Sequence, residues 1–180
     1  VHEGVGGQGS WVSLVKNNEK IPISWARAKN EIAHYIISRE SYDPLLYKHN
    51  LKLVKLFSNK EVESQYILEQ SDNKSALINT LGAKGYRTVD IKNILPLDLD
   101  KTRSDDKSDN SKNGDSANSA NLAKVDFEVI DHFIGSTQVV RQSYSAIISW
   151  GYLGAPADPE CKFNNWDGFL VTKYIRHVGK

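Results

Sequence analysis

The sequence has little of what specialised chains carry. Cys161 is the single cysteine among 180 residues, so no intrachain disulfide can form and thiol pairing says nothing about redox compartment. No apolar run approaches the roughly 18 residues that span a bilayer, and the N-terminus lacks the basic-then-apolar pattern of a signal peptide. Formal net charge is only +1, with Lys and Arg spread along the chain. That balance leaves no bulk electrostatic footprint for nucleic acid or for an acidic membrane surface. His2, His34, His49, His132 and His177 include no pair at metal-binding spacing, and no two sit beside Cys161. A Gly-rich phosphate loop, a nucleophile elbow and a zinc-binding helix motif are all missing. The chain starts at Val1 without Met, as expected of a processed or truncated chain whose targeting segment has been removed.

What is present is a hydrophobic content of 39% in a chain long enough to bury roughly two-thirds of its surface as one globular domain. Residues 137–153 are the organising stretch. Val140, Tyr144, Ala146, Ile148, Trp150 and Tyr152 fall on even positions and Arg141, Ser143, Ser145 and Ser149 on odd ones, a period of two with one face buried. A strand of that length should bend, with Gly151 a candidate point, and would form the spine of a curved sheet. Period alone leaves open whether side chains or a ligand fill the inner side.

The flanking elements follow from spacing and punctuation. Val1–Ser10, with four glycines, reads as a flexible lead, residues 1–20 as outside the domain, and Trp11–Val15 as a short edge strand. Ser24 suits an N-cap, and Trp25, Ala28, Ile32, Tyr35, Ile36 and Arg39 follow at helical spacing. Its aromatic anchors, with Tyr42 beyond, suit either a helix covering a sheet or one that meets another protein. Asp43-Pro44 opens a second helix along Tyr47, Leu51, Val54 and Phe57, and Ser58 or Asn59 caps a third bearing Val62, Tyr66 and Ile67. After Gly82 and Gly85 comes a strand over residues 87–96, ended by Pro96. Residues 98–121 are almost wholly Asp, Lys, Ser, Asn and Gly, which implies a disordered insertion or extended hairpin loop inside the domain. Val125, Phe127 and Val129 alternate with Lys124, Asp126 and Glu128, Gly135-Ser136 makes a hairpin turn, and Phe169–His177 forms the last strand. Three helices followed by about four antiparallel strands make an α+β domain over residues 21–180. Two weak candidates for chemistry are Asp131-His132, as a general acid/base pair near a strand end, and Cys161, as a loop thiol with no identifiable base.

With that layout in hand, several stretches resemble the periplasmic domain of the VirB-eight family, inner-membrane subunits of bacterial type IV secretion systems. Tyr35 followed by Arg39-Glu40-Ser41-Tyr42-Asp43 resembles the family's first-helix pattern, and Val54, Leu56, Phe57, Ser58 and Tyr66 its second and third helices. Arg87, Val89, Ile91 and Pro96 resemble its first strand, and Ala146, Ile148 and Tyr152 its central one. Asn165-Trp166-Asp167-Gly168-Phe169 resembles the family's Asn-Pro-x-Gly-Phe turn, with Trp166 where Pro is usual. The resemblance implies a cone-like fold of the nuclear-transport-factor type and a single N-terminal membrane helix outside this sequence. It also implies a periplasmic location, a weak homodimer and binding of other secretion subunits. It further implies no catalysis, no cofactor, no metal, no nucleic acid and no small-molecule substrate. The interaction candidates are Tyr35, Arg39, Glu40 and Tyr42 of the first helix, where Tyr and Arg are the types that most often carry interface energy, and the turn residues Asn165, Trp166, Asp167, Gly168 and Phe169, with Trp166 a large apolar ring on an expected exposed loop. Two other readings use the same cone: an isomerase or dehydratase with an inward carboxylate, His and Tyr in a ligand-sized pocket, and a carrier with a deep apolar cavity and no dimer.

Overall fold

The computed structural model describes residues 23–97, 121–154 and 164–179. Its elements are α1 (Ile23–Glu40), α2 (Tyr47–Leu56), α3 (Lys60–Ser71), α4 (Leu77–Thr80), β1 (Gly85–Pro96), β2 (Asn121–Phe133), β3 (Val139–Tyr152) and β4 (Phe169–Val178). The glycine lead, the Trp11–Val15 strand, all of the polar run but Asn121, and Cys161 lie outside the described residues. Asn121 itself opens β2.

Helical spacing places Ala28, Ile32, Tyr35, Ile36 and Arg39 of α1 in the interior. Ser24 is not an N-cap, because α1 already begins at Ile23 and Ser24 falls in its first turn. The second helix also starts later than expected. Asp43 Oδ1 accepts the Leu45 N–H at 2.8 Å and Asp43 O the Leu46 N–H at 3.1 Å, so Asp43-Pro44 closes a turn of its own and α2 begins at Tyr47. Asn59 does cap α3, its Oδ1 accepting the Val62 N–H at 2.9 Å.

The sheet has the order β1-β2-β3-β4, antiparallel throughout. Gly135, at φ +83°, forms the turn between β2 and β3 as its sequence implies. Val125, Phe127 and Val129 of β2 and Ala146, Ile148 and Trp150 of β3 point into the core, while Val140 and Tyr152 at the ends of β3 are exposed. The irregularity in β3 lies at Ser149/Trp150 and not at Gly151, which stays paired with Leu170. Its cause is the partner strand: Thr172 is an extra residue in β4, and a bulge raises local twist without needing glycine. Lys92 is a second extra residue, in β1.

Helices cover one sheet face around Ile32, Ile36, Val54, Phe127, Ile148 and Phe169, all wholly buried. Two backbone links tie the layers. Tyr42 and Arg87 exchange both backbone hydrogen bonds (3.1 and 2.7 Å), fastening the end of α1 to β1. Val171 donates to Phe57 O (2.8 Å) and accepts from Asn59 N (2.9 Å), fastening the α2–α3 junction to β4. This is the α+β arrangement of the nuclear-transport-factor type. Phe127 sits at the centre of it, and Phe127→Ala is expected to lower unfolding free energy by about 3–5 kcal/mol in urea titrations.

Candidate functional site

Two groups of side chains stand out, one sealed inside and one at the surface. The inner group starts from the end of α1. Arg39, only 3% exposed, donates to Tyr35 Oη and Glu69 Oε1 (both 3.1 Å), and its guanidinium carbon lies 4.1 Å from the Tyr174 ring centroid and 5.1 Å from that of Tyr66. Ser58 donates to Val54 O at 2.6 Å, so the 2.8 Å contact from Tyr35 to Ser58 has Tyr35 as donor. A directed chain therefore runs from Arg39 through Tyr35 and Ser58 to the backbone of α2. Glu40, 2% exposed, accepts Tyr174 Oη–H at 2.6 Å on one oxygen and Arg176 on the other. Burial lowers the Arg39 pKa, but Tyr35, Glu69, Tyr174 and Glu40 more than offset it, so the guanidinium stays charged. Burial, reinforced by Glu40, pushes the Tyr174 hydroxyl well above the usual tyrosine range.

The surface group is the turn at residues 165–168. Asn165 is buried and donates Nδ2 to Phe169 O (3.0 Å), while Asp167 Oδ1 accepts the Phe169 N–H (3.1 Å). Gly168 has φ +69°, and a Cβ there would stand 1.9 Å from Gly154 O. The turn is thus welded to the end of β3, with Leu153 N donating to Gly168 O at 3.0 Å. Arg27 of α1 donates both Nε and Nη2 to Asp167 Oδ2, the first at 2.9 Å. Its guanidinium carbon lies 4.4 Å from the Trp166 ring centroid and 4.9 Å from that of Tyr152. Trp166 itself is 65% exposed.

The structure therefore divides the sequence candidates. Tyr35, Arg39, Glu40 and Tyr42 are buried, with Tyr42 Oη donating to Gly82 O at 2.8 Å, so none of them offers its side chain as a surface contact. Their type suggested an interface, but the helical stripe they share faces the sheet. Asn165, Gly168 and Phe169 build the turn from within, and Trp166 is the member it displays. Arg27 and Glu69 carry no sequence mark of a site, and Ser58 and Tyr152 are marked only as parts of the resemblance. An arginine at an inward position of β4 is a usable signal for Arg176, whereas Arg27 and Asp167 are 140 residues apart and nothing local joins them.

The Asp131-His132 pair does not exist as a unit. Neighbours in a strand face opposite sides: Asp131 is clamped by Arg87 (2.5 and 2.8 Å), while the His132 ring stacks on Tyr86 at 4.5 Å. A depression of about 290 Å³ beside α1 is lined by Glu31, His34 and Tyr35 among others, but the Tyr35 hydroxyl is turned inward and engaged by Arg39 and Ser58. Among the described residues no helix is long and apolar enough to cross a membrane, and no group of three or more His, Cys, Asp or Glu is placed to hold a metal.

Helices followed by a four-stranded antiparallel sheet, with a polar knot inside, define a structural class of the nuclear-transport-factor type. The family model described as VirB8 protein matches residues 9–177, and the chain belongs to the VirB8 family, a structural component of type IV secretion systems. No curated protein matches it. Among solved structures it is similar to Agrobacterium tumefaciens VirB8, at 16% identity over 90% of this chain and 97% of that one, TM-score 0.70. It is also similar to the TrwG component from Bartonella birtlesii, at 23% identity over 86% of this chain and 92% of that one, TM-score 0.68. At these identities the structural likeness speaks for the fold.

Gly168→Ala is expected to cost about 2 kcal/mol or more in urea titrations, because it adds both an unfavourable φ and a backbone clash. Burial raises the pKa of Tyr35, Tyr66 and Tyr174. A raised native pKa adds stability that is complete below the unfolded value of about 10 and is lost as pH climbs towards the native value. Unfolding free energy should therefore fall progressively above about pH 10, with tyrosinate absorbance from Tyr66 and Tyr174 appearing on unfolding. Tyr174→Phe should flatten that fall.

Proposed function

We propose that this chain is a non-catalytic scaffold subunit of a type IV secretion channel, acting in the periplasm through weak self-association and binding of other channel subunits. The domain, residues 21–180, would be held at the inner membrane by a helix preceding this sequence. The observation that carries the reading is the display of Trp166. A large ring held 65% exposed by a welded turn and an arginine loses little entropy on docking, and such preorganised aromatics carry interface energy. Tyr35, Arg39, Glu40 and Tyr42 contribute to this surface indirectly, by fixing α1, from which Arg27 reaches the turn.

A second reading, a small-molecule carrier, draws support from structures of the similar TraE protein in complex with 2-(2-furyl)isonicotinic acid and related acids. The packed centre around Phe127 and Phe169 favours the scaffold.

Sedimentation velocity from micromolar to millimolar concentration is expected to show a weak dimer, with a dissociation constant on the order of 100 μM, strengthened when two copies are tethered. Trp166→Ala should weaken association at least about fivefold while changing unfolding free energy by less than about 0.5 kcal/mol, as for an exposed side chain. A parent that remains monomeric at millimolar concentration and binds small aromatic acids tightly would favour the carrier.

A further inference from the structure

The sheet has two edges, and the molecule treats them differently. On β4 the backbone is closed from Phe169 to Thr172 by Asn165, Phe57 and Asn59, and α3 packs against the same strand. On β1 the closure stops at Arg87, which exchanges its hydrogen bonds with Tyr42. Alternation along an antiparallel ladder then sets the direction of every later backbone group on β1. Lys84 and Leu97 bond to the β2 side, so Val89, Ile91 and, past the Lys92 bulge, Ile94 turn their N–H and C=O groups outward. Among the described residues these groups have no hydrogen-bond partner. Beside them runs a groove of about 460 Å³ between β1 and α1, walled on the helix by Ala26, Lys29 and Ala33 and on the strand by Ile91, Lys92 and Ile94. Alanines leave room for a neighbouring backbone. Ile37, one turn beyond Ala33 on the same stripe, is 45% exposed and extends the apolar wall towards Val89.

We infer that this edge receives a short extended segment of a partner polypeptide, which adds to β1 as a fifth strand and carries a carboxylate at the end that lies beside Lys29. Main-chain hydrogen bonds to Val89, Ile91 and Ile94 supply the affinity. Selection comes from the side chains. Lys29 lines the groove and has no ion-pair partner among the described residues, whereas Lys92 is paired with Asp90, so the groove favours one acidic group beside Lys29 next to small or branched apolar ones. The bulge at Lys92 and the missing N–H of Pro96 limit pairing to about five residues, which admits a short peptide and resists the extended edge-to-edge pairing that an open edge invites. This surface lies on the opposite flank of α1 from Arg27 and Trp166, so it stands independently of the self-association proposed above.

The probe is the peptide acetyl-Glu-Val-Thr-Val-Thr-Val-Glu-amide, against the same peptide N-methylated at alternate residues, with amide hydrogen exchange of the full chain read by NMR. At millimolar peptide the Val89, Ile91 and Ile94 amides are expected to exchange about tenfold or more slowly, and the N-methylated peptide to have no effect. Lys29→Glu should weaken binding about fivefold. Ile91→Pro removes one outward N–H together with the packing of Ile91 on the core, so it should abolish binding, whereas Ile91→Ala, which loses the packing and keeps the N–H, should retain most of it. Slow exchange of these three amides in the peptide-free protein, equal protection by both peptides, or undiminished binding by Ile91→Pro would each overturn the inference.

Discussion

A carboxylate that cannot reach water holds the layers of this protein in register. Glu40 ends α1 inside the molecule, where an isolated charge would be far too costly, and it is tolerable because Arg176 and Tyr174 of β4 meet it there. Arg39, its neighbour, donates to Glu69 of α3 and Tyr35 of its own helix, with its Nε 3.9 Å from Glu40 Oε1. Two arginines and two glutamates balance, so the knot adds no net charge to the interior. A buried pair of this kind is weak evidence for raw stability, since apolar side chains of equal volume often do as well. What it ties down is the rotation of α1, through Arg39 to Glu69 of α3 and through Glu40 to Arg176 of β4.

That rotation decides what appears on the two flanks of α1. With Ala28, Ile32, Tyr35, Ile36 and Arg39 directed inward, Arg27 must point towards the 165–168 turn, and Ala26, Lys29 and Ala33 must face β1. Each flank then borrows its geometry from the interior. Arg27 holds Trp166 and Tyr152 by their ring faces and Asp167 by its carboxylate, a planar cation used where an ammonium would lack the fork and the stacking. The surface aromatic is therefore positioned by the buried acid at the far end of the same helix.

How much of this is legible in the sequence depends on the range of the interaction that decides each feature. The alternation in residues 125–129 and 144–152, the Gly135 turn and the Asn59 cap are set by residues within a few positions of one another, and they read directly. The start of α2 does not, because Asp43 uses its side chain for a turn that competes with capping, a choice made by backbone geometry and not by residue type. The bend in β3 falls away from Gly151 because its cause, Thr172, lies in another strand. Arg39 is the instructive case. Its spacing with Ala28, Ile32 and Tyr35 already puts it on the inward stripe, whereas its chemical type suggests a partner surface. Period is the better guide, because a helix face is set by many residues at once and an arginine can be satisfied inside when another element supplies the carboxylate. That element, α3 with Glu69, sits 30 residues away and leaves no mark in the local pattern.

The sequence order of the motifs has the same physical meaning. Tyr35, Arg39, Glu40 and Tyr42 occur together because one helical end serves four separate attachments: Tyr35 to the α2–α3 junction through Ser58, Arg39 to α3 through Glu69, Glu40 to β4, and the Tyr42 backbone to β1. Replacing any one of them loosens a different joint of the same helix. Arg27 and the turn it holds are carried by the same helix, so their geometry depends on those joints. A line of contacts accordingly runs from Glu40 through α1 to Arg27 and then to Trp166, joining the sealed interior to the displayed ring.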